Sequence, residues 1–242
     1  MNIIGIDPSL VSTAMVVNGK IINYCRESDA TNKSGLAKWF KMCEGLCDFR
    51  YITYRKFEDY SEGEITKLMD YDSITQLIVS DILDNIDVTE ETKVMIEGYN
   101  FGAQVGDLLD LVTFSTLLRK KIFDQVTEDI YIISPTQLKL ASCKLTYPAI
   151  EREVGVRKKR IDRKYRNNIG IAGGNFTKTH MMLSIIENEE IDSEWFKHVK
   201  YIKNDLLGKK QVPKPYEDIN DAVLMYHILD NKQSENNTEM NV

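Results

Sequence analysis

The first twenty-six residues constrain this chain most. Asn-Ile-Ile-Gly-Ile at 2–6 is a short apolar run of the kind that forms a buried strand. Asp7-Pro8-Ser9 stops it, because Pro8 has no backbone N–H to give to a ladder. Residues 12–18 and 20–26 flank Asn18-Gly19, the dipeptide that best fills the two left-handed positions of a tight hairpin turn. Residues 49–57 read as another strand, while 28–48 are mixed and give no clear element. The chain therefore opens with three antiparallel strands and places a carboxylate at the end of the first.

Further on, Ile65, Leu68, Met69, Leu77, Ile78, Ile82, Leu83 and Ile86 recur near helical spacing and predict a long helix over 64–86. Lys93 to Glu97 reads as a short buried strand, 104–126 as a second helix, and Asp129 to Ser134 as a strand. Strands followed by alternating helices and strands predict an α/β fold on a mixed sheet. Thr177 to Glu187 reads as a helix entered from Gly173-Gly174-Asn175, and 190–215 as a polar connection ending at Pro213 and Pro215. Asp218 to Leu229 reads as a final helix with an acidic first turn. With 242 residues and 43% hydrophobic content there is enough for one good core. The expected organisation is a single domain over 1–230, with a basic insertion at about 143–172 and a disordered polar tail at 231–242.

The net charge of −6 argues mildly against nucleic acid, but charge is distributed unevenly. Residues 151–168 hold Arg152, Arg157, Lys158, Lys159, Arg160, Arg163, Lys164 and Arg166 against only Glu151, Glu153 and Asp162. A solvated helix face or a targeting signal are the other readings; in an otherwise acidic chain, phosphate binding is favoured. Of Cys25, Cys43, Cys47 and Cys143, only Cys43 and Cys47 are close, and no His completes a zinc site. Plain thiols, no signal peptide and no membrane-length apolar run predict a soluble cytoplasmic protein. His180, His198 and His227 have no metal spacing, and Trp39 and Trp195 read as core or interface.

Three acidic sites fall where an α/β sheet can bring them together. Asp7 and Glu97 each end an apolar strand, so neighbouring strands would present both at one sheet edge. Asp218 and Asp221, three apart at a helix start, share one helical face. Each taken alone reads blandly, as a turn opener, a first loop residue, or a charge favourable to the helix dipole. Together they are mutually repelling carboxylates that divalent cations would hold, and Mg²⁺ suits such hard oxygen donors, with Mn²⁺ as a substitute. Two ions about 3.5–4 Å apart could then activate water and stabilise the leaving oxygen in phosphodiester hydrolysis.

These residues also carry a family resemblance. Ile-Gly-Ile-Asp7-Pro-Ser with Ser12-Thr13-Ala14 resembles the opening of RuvC-type Holliday junction resolvases, Ile96-Glu97 their second acidic motif, and Asp218-Ile-Asn-Asp221-Ala222 their closing helix. Pro135-Thr-Gln-Leu-Lys139 is similar to their post-strand segment carrying a basic residue, and Gly174-Asn-Phe-Thr-Lys178 to their small-residue turn and lysine. The resemblance covers most of 1–30 and 93–230. It implies an RNase H-like fold, Asp7, Glu97, Asp218 and Asp221 as metal ligands, Lys139 and Lys178 at the scissile phosphate, a homodimer, and branched DNA, above all four-way junctions, as substrate. The basic stretch and the long 28–62 segment depart from a compact resolvase. Ile-, Lys- and Asn-rich composition suits an AT-rich genome such as that of a phage or large virus.

Tyr99 and Phe101, just after Glu97, are candidates for stacking on unpaired bases, with packing beneath the loop as the bland reading. Arg157, Lys158, Lys159, Arg160, Arg163 and Lys164 are the candidate DNA contacts of the basic stretch. The 104–126 helix is apolar over more than half of its circumference, a surplus that either the 64–86 helix or a second subunit would cover. Three other functions compete. One is an actin-like or sugar-kinase-like ATPase, which shares the strand–Asp–turn opening but needs more chain than this. The second is a non-catalytic DNA-binding protein that keeps the fold, against which the intact set of four carboxylates argues. The third is a nuclease of the same class acting on flaps or RNA–DNA hybrids.

Overall fold

A computed structural model describes residues 1–31, 35–99, 105–146, 177–189, 191–207, 209 and 211–239. Strands β1 (Asn2–Asp7), β2 (Ser12–Val17) and β3 (Lys20–Arg26) form the expected antiparallel meander. Asn18 and Gly19 have φ of 49° and 83°, the two left-handed positions that the β2–β3 hairpin requires. Helices α1 (Glu27–Thr31) and α2 (Ala37–Met42) occupy the stretch that has no clear sequence pattern. They carry the chain back across the sheet, so β4 (Cys47–Ile52) joins β3 in parallel rather than as another antiparallel strand. It ends earlier than the 49–57 pattern suggests.

Helix α3 (Tyr60–Leu83) leads to β5 (Thr92–Glu97), α4 (Val105–Gln125) and β6 (Ile130–Ile133). The sheet order is β4-β3-β2-β1-β5-β6, and β2 alone runs against the other five. This is the mixed α/β sheet expected. The final helix, α9 (Tyr216–Glu239), starts two residues earlier than its sequence pattern and runs on through Asn231 to Glu239, inside the segment expected to be a disordered tail.

Alternation assigns the two faces. Ile4, Ile6, Met15, Ile22, Tyr24, Val94 and Ile96 join Ile78 and Ile82 of α3 and Phe114, Leu118 and Ile122 of α4 in one core. Helix α3 covers much of the apolar surplus of α4, while Leu109 and Phe123 stay exposed. Polar anchors fix α3 to the β3–β4 side: Tyr24 donates to Asp81 at 2.8 Å, and the Arg50 guanidinium forks onto both Asp81 oxygens. Burial, and then the Asp81 carboxylate, push the Tyr24 hydroxyl pKa far above its ordinary value, so it remains a donor. The opposite face of the sheet receives α9 (Tyr216–Glu239), which packs on β1, β2 and β5.

The chain divides into two compact units, Met1–Pro135 with Lys214–Val242, and Thr136–Pro213. The second unit contains α5 (Pro135–Thr146), α6 (Lys178–Glu187), α7 (Glu194–Tyr201) and α8 (Lys203–Leu207). The last two stand where the sequence reads as a polar connection. Trp195, Phe196 and Val199 bury one face of α7, a stripe too short to stand out among its charged neighbours. Cys25, Cys43 and Cys47 are buried free thiols; burial pushes Cys25 and Cys43 up to about 12, so they stay protonated. No described helix is long and apolar enough to cross a membrane. Phe101, the stretch 151–168 and most of the insertion at 143–172 lie outside the described residues.

Candidate metal centre

The site forms where β1, β5 and α9 meet. β1 and β5 are parallel neighbours with Ile6 opposite Ile96, so Asp7 and Glu97 follow at adjacent strand ends. By alternation both side chains point to the α9 face, as Gly5 and Met95 do. Gly5 lets the helix come close. A Cβ there would lie 2.4 Å from the Ala222 carbonyl oxygen and 2.7 Å from the Tyr226 nitrogen. The small, fully buried Ala222 completes the close approach and sets its neighbour Asp221 over the strand ends.

As a result Asp7, Glu97 and Asp221 each offer a carboxylate oxygen within 4.8 Å of the others. Asp7 and Asp221 are buried and Glu97 is half-buried. Three like charges in a largely dry place are costly unless a cation neutralises them. An all-carboxylate donor set of this kind fits a hard divalent ion and could hold one.

Asp218, one turn earlier on α9, is also buried, but its carboxylate is taken up by Lys214, whose Nζ lies 2.7 and 3.0 Å from its two oxygens. Burial works against the Lys214 ammonium, yet Asp218, Asp7 and Glu217 outweigh it and hold its pKa above the ordinary lysine value. A permanent cation therefore stands beside the acidic cluster. The Lys-x-x-x-Asp spacing was visible within the Lys-containing connection, but only the tertiary structure brings the pair up to Asp7.

The pair makes a test of its own. Lys214→Met keeps an unbranched side chain close to the lysine in length and removes its charge. Metal-free stability is expected to fall by about 1–3 kcal/mol, because the buried Asp218 loses its donor. Mg²⁺ should then raise the urea midpoint more in the variant than in the parent, since a bound ion becomes the main neutralising charge. Equal Mg²⁺ shifts in the two proteins would show that Asp218 does not sense the ion.

No protein-family model matches the chain, and no curated protein matches it in sequence. Among solved structures it is similar to T. thermophilus RuvC in complex with Holliday junction substrate, at 12% identity and a TM-score of 0.40. That similarity spans 94% of this chain and 91% of the other. The chemistry of the centre rests on its own residues.

Around the centre, Tyr99 is held by α4: its hydroxyl lies 3.2 Å from Thr116 Oγ1, and the Arg119 guanidinium covers its ring at 4.6 Å. One face of the ring is thus in use within the protein. Arg119 also donates to the Glu97 carbonyl oxygen at 3.2 Å, which ties the end of β5 to α4. Burial holds the Arg119 pKa below its ordinary value. Nothing in the α4 sequence distinguishes Arg119 from a surface arginine.

Lys139 and Lys178 belong to the second unit. Lys139 is half-buried on α5, and Lys178 opens α6 behind a reciprocal cap in which Thr177 and His180 bond each other's backbone N–H. Arg157, Lys158, Lys159, Arg160, Arg163 and Lys164, like Phe101, fall outside the described residues.

Proposed function

We propose that this chain is a divalent-metal-dependent endonuclease that cuts branched DNA, four-way junctions above all, acting as a homodimer. The observation that carries this reading is the convergence of Asp7, Glu97 and Asp221 on one point at the sheet edge. These three residues would hold the ion, with Asp218 beside them. When bound, Mg²⁺ supplies Lewis-acid activation of water and stabilisation of the leaving oxygen at a phosphodiester. The protein's own part is to hold the carboxylates in place: Gly5 and Ala222 seat α9, and Arg119 braces the end of β5.

The junction as substrate, and Mg²⁺ as the ion, follow the motif order that resembles RuvC-type resolvases. In this reading Lys139 and Lys178 meet phosphates near the cut, and the basic stretch around Arg157 to Lys164 adds salt-sensitive affinity. A two-fold dimer would match the approximate symmetry of a four-way junction and allow paired nicks.

A panel of labelled duplex, flap, RNA–DNA hybrid and four-way substrates tests the proposal. With Mg²⁺, the four-way substrate should be cut fastest and in symmetric pairs, and EDTA should stop the reaction. Preference for flaps or hybrids would keep the nuclease and replace its substrate. ATP turnover without any DNA cleavage would overturn the reading in favour of the ATPase alternative.

A further inference from the structure

All strands but β2 run the same way, so β1, β3, β4 and β5 end at one edge of the sheet. Asp7 and Glu97 stand at the middle of that edge. Further along it, beyond the ends of β3 and β4, a cavity of about 610 Å³ opens. The loop that leaves Asp7, Pro8 to Val11, forms one of its walls. Tyr54 fixes that wall by donating to the Leu10 carbonyl oxygen at 2.7 Å.

The cavity combines three cations with aromatic rings. Two of the cations are spent internally: Arg55 on Asp70 at 2.6 Å, and Lys67 on Asp110 at 3.1 Å. Arg26 is different. Its guanidinium lies over the Tyr54 ring at 5.0 Å, and it makes no ion pair among the described residues. Phe57 is seated on Gly63, where a Cβ would come within 2.7 Å of the ring, yet the residue remains 46% exposed. An exposed ring held from behind, beside a guanidinium that no described carboxylate neutralises, suits a group that is both aromatic and anionic.

We propose that this cavity is a nucleotide subsite, with Arg26 on a backbone phosphate and Phe57 beneath an unpaired base. The inference rests on the nuclease reading and extends it. Strands lie about 4.8 Å apart, so the ends of β3 and β4 are roughly 10–15 Å from Asp7. A DNA strand advances about 3.4 Å per nucleotide, which puts the subsite three or four nucleotides from the phosphate at the metal centre. A base can stack on a side chain there only when it is unpaired, as in a single-stranded flap or at a branch whose pairs have opened.

The test uses the full chain and the variants Arg26→Gln and Phe57→Leu. The probes are a branched DNA with a single-stranded flap and a single-stranded oligonucleotide, each carrying 2-aminopurine at unpaired positions. Binding is measured in EDTA and cleavage with Mg²⁺. Arg26→Gln should lower the slope of log K against log salt by roughly 0.7–0.9, the loss of one phosphate contact. Phe57→Leu, which keeps an apolar contact on Gly63, should bind about tenfold more weakly and lose the 2-aminopurine quench. Arg26 is at the surface, so its slope decides the matter should Phe57→Leu fail to fold. If the parent cuts DNA and both variants keep its slope, quench and affinity to within about twofold, the subsite is wrong and the nuclease stands. A parent that neither binds nor cuts DNA overturns both.

Discussion

Asp7→Asn is expected to lower Mg²⁺-dependent cleavage by about a thousandfold or more while leaving DNA affinity in EDTA nearly unchanged. Metal activation contributes several kcal/mol at the transition state, and each 1.36 kcal/mol is about a factor of ten. Affinity depends mainly on phosphate contacts, which Asp7 does not supply. A second signature separates a ligand from a merely structural carboxylate. In the absence of metal, Asp7, Glu97 and Asp221 repel one another within 4.8 Å. Removing one charge should therefore raise metal-free stability as activity is lost. The shift of the melting midpoint on adding Mg²⁺ should shrink at the same time. Glu97→Gln should behave alike, and single-turnover cleavage with calorimetry in EDTA and in Mg²⁺ reads all three effects. A variant that cuts normally removes its residue from the mechanism, and one that is destabilised without metal shows a structural carboxylate instead.

Gly5→Ala is expected to cost about 3 kcal/mol or more of stability, a large fraction of what a domain has. The added methyl would fall 2.4 Å from one backbone atom of α9 and 2.7 Å from another, so no side-chain rotation relieves it. The helix has to lift from β1. Because α9 carries Asp221, metal affinity should fall along with stability. Gly19→Ala is the control. It meets nothing within 4 Å, and its cost is only the strain of a φ of +83° on a residue with a side chain, about 1 kcal/mol. Urea denaturation of both variants measures the contrast. Equal losses would mean that α9 does not rest on Gly5 as closely as the structure has it.

The local signals were legible wherever one stretch of chain decides its own conformation. Asn18-Gly19 specifies the hairpin, because few other pairs accept two left-handed residues. Pro8 and the apolar runs end β1 and β5 at Asp7 and Glu97, and period-2 alternation sends both carboxylates to one face. Asp218 and Asp221 were legible as a pair, three residues apart on one helical face.

What the sequence left open depends on partners distant along the chain. The direction of β4 is set by α1 and α2, whose short patterns mean little until they pack. Helix α7 shows three buried residues in a charged background, and burial is a property of the neighbours rather than of the segment. Asp218 and Asp221 look equivalent in sequence, three residues apart on one helical face. Only folding sets Asp221 with Asp7 and Glu97 while Lys214 takes Asp218, because the energy of a buried charge is fixed by whatever lies within a few ångströms of it.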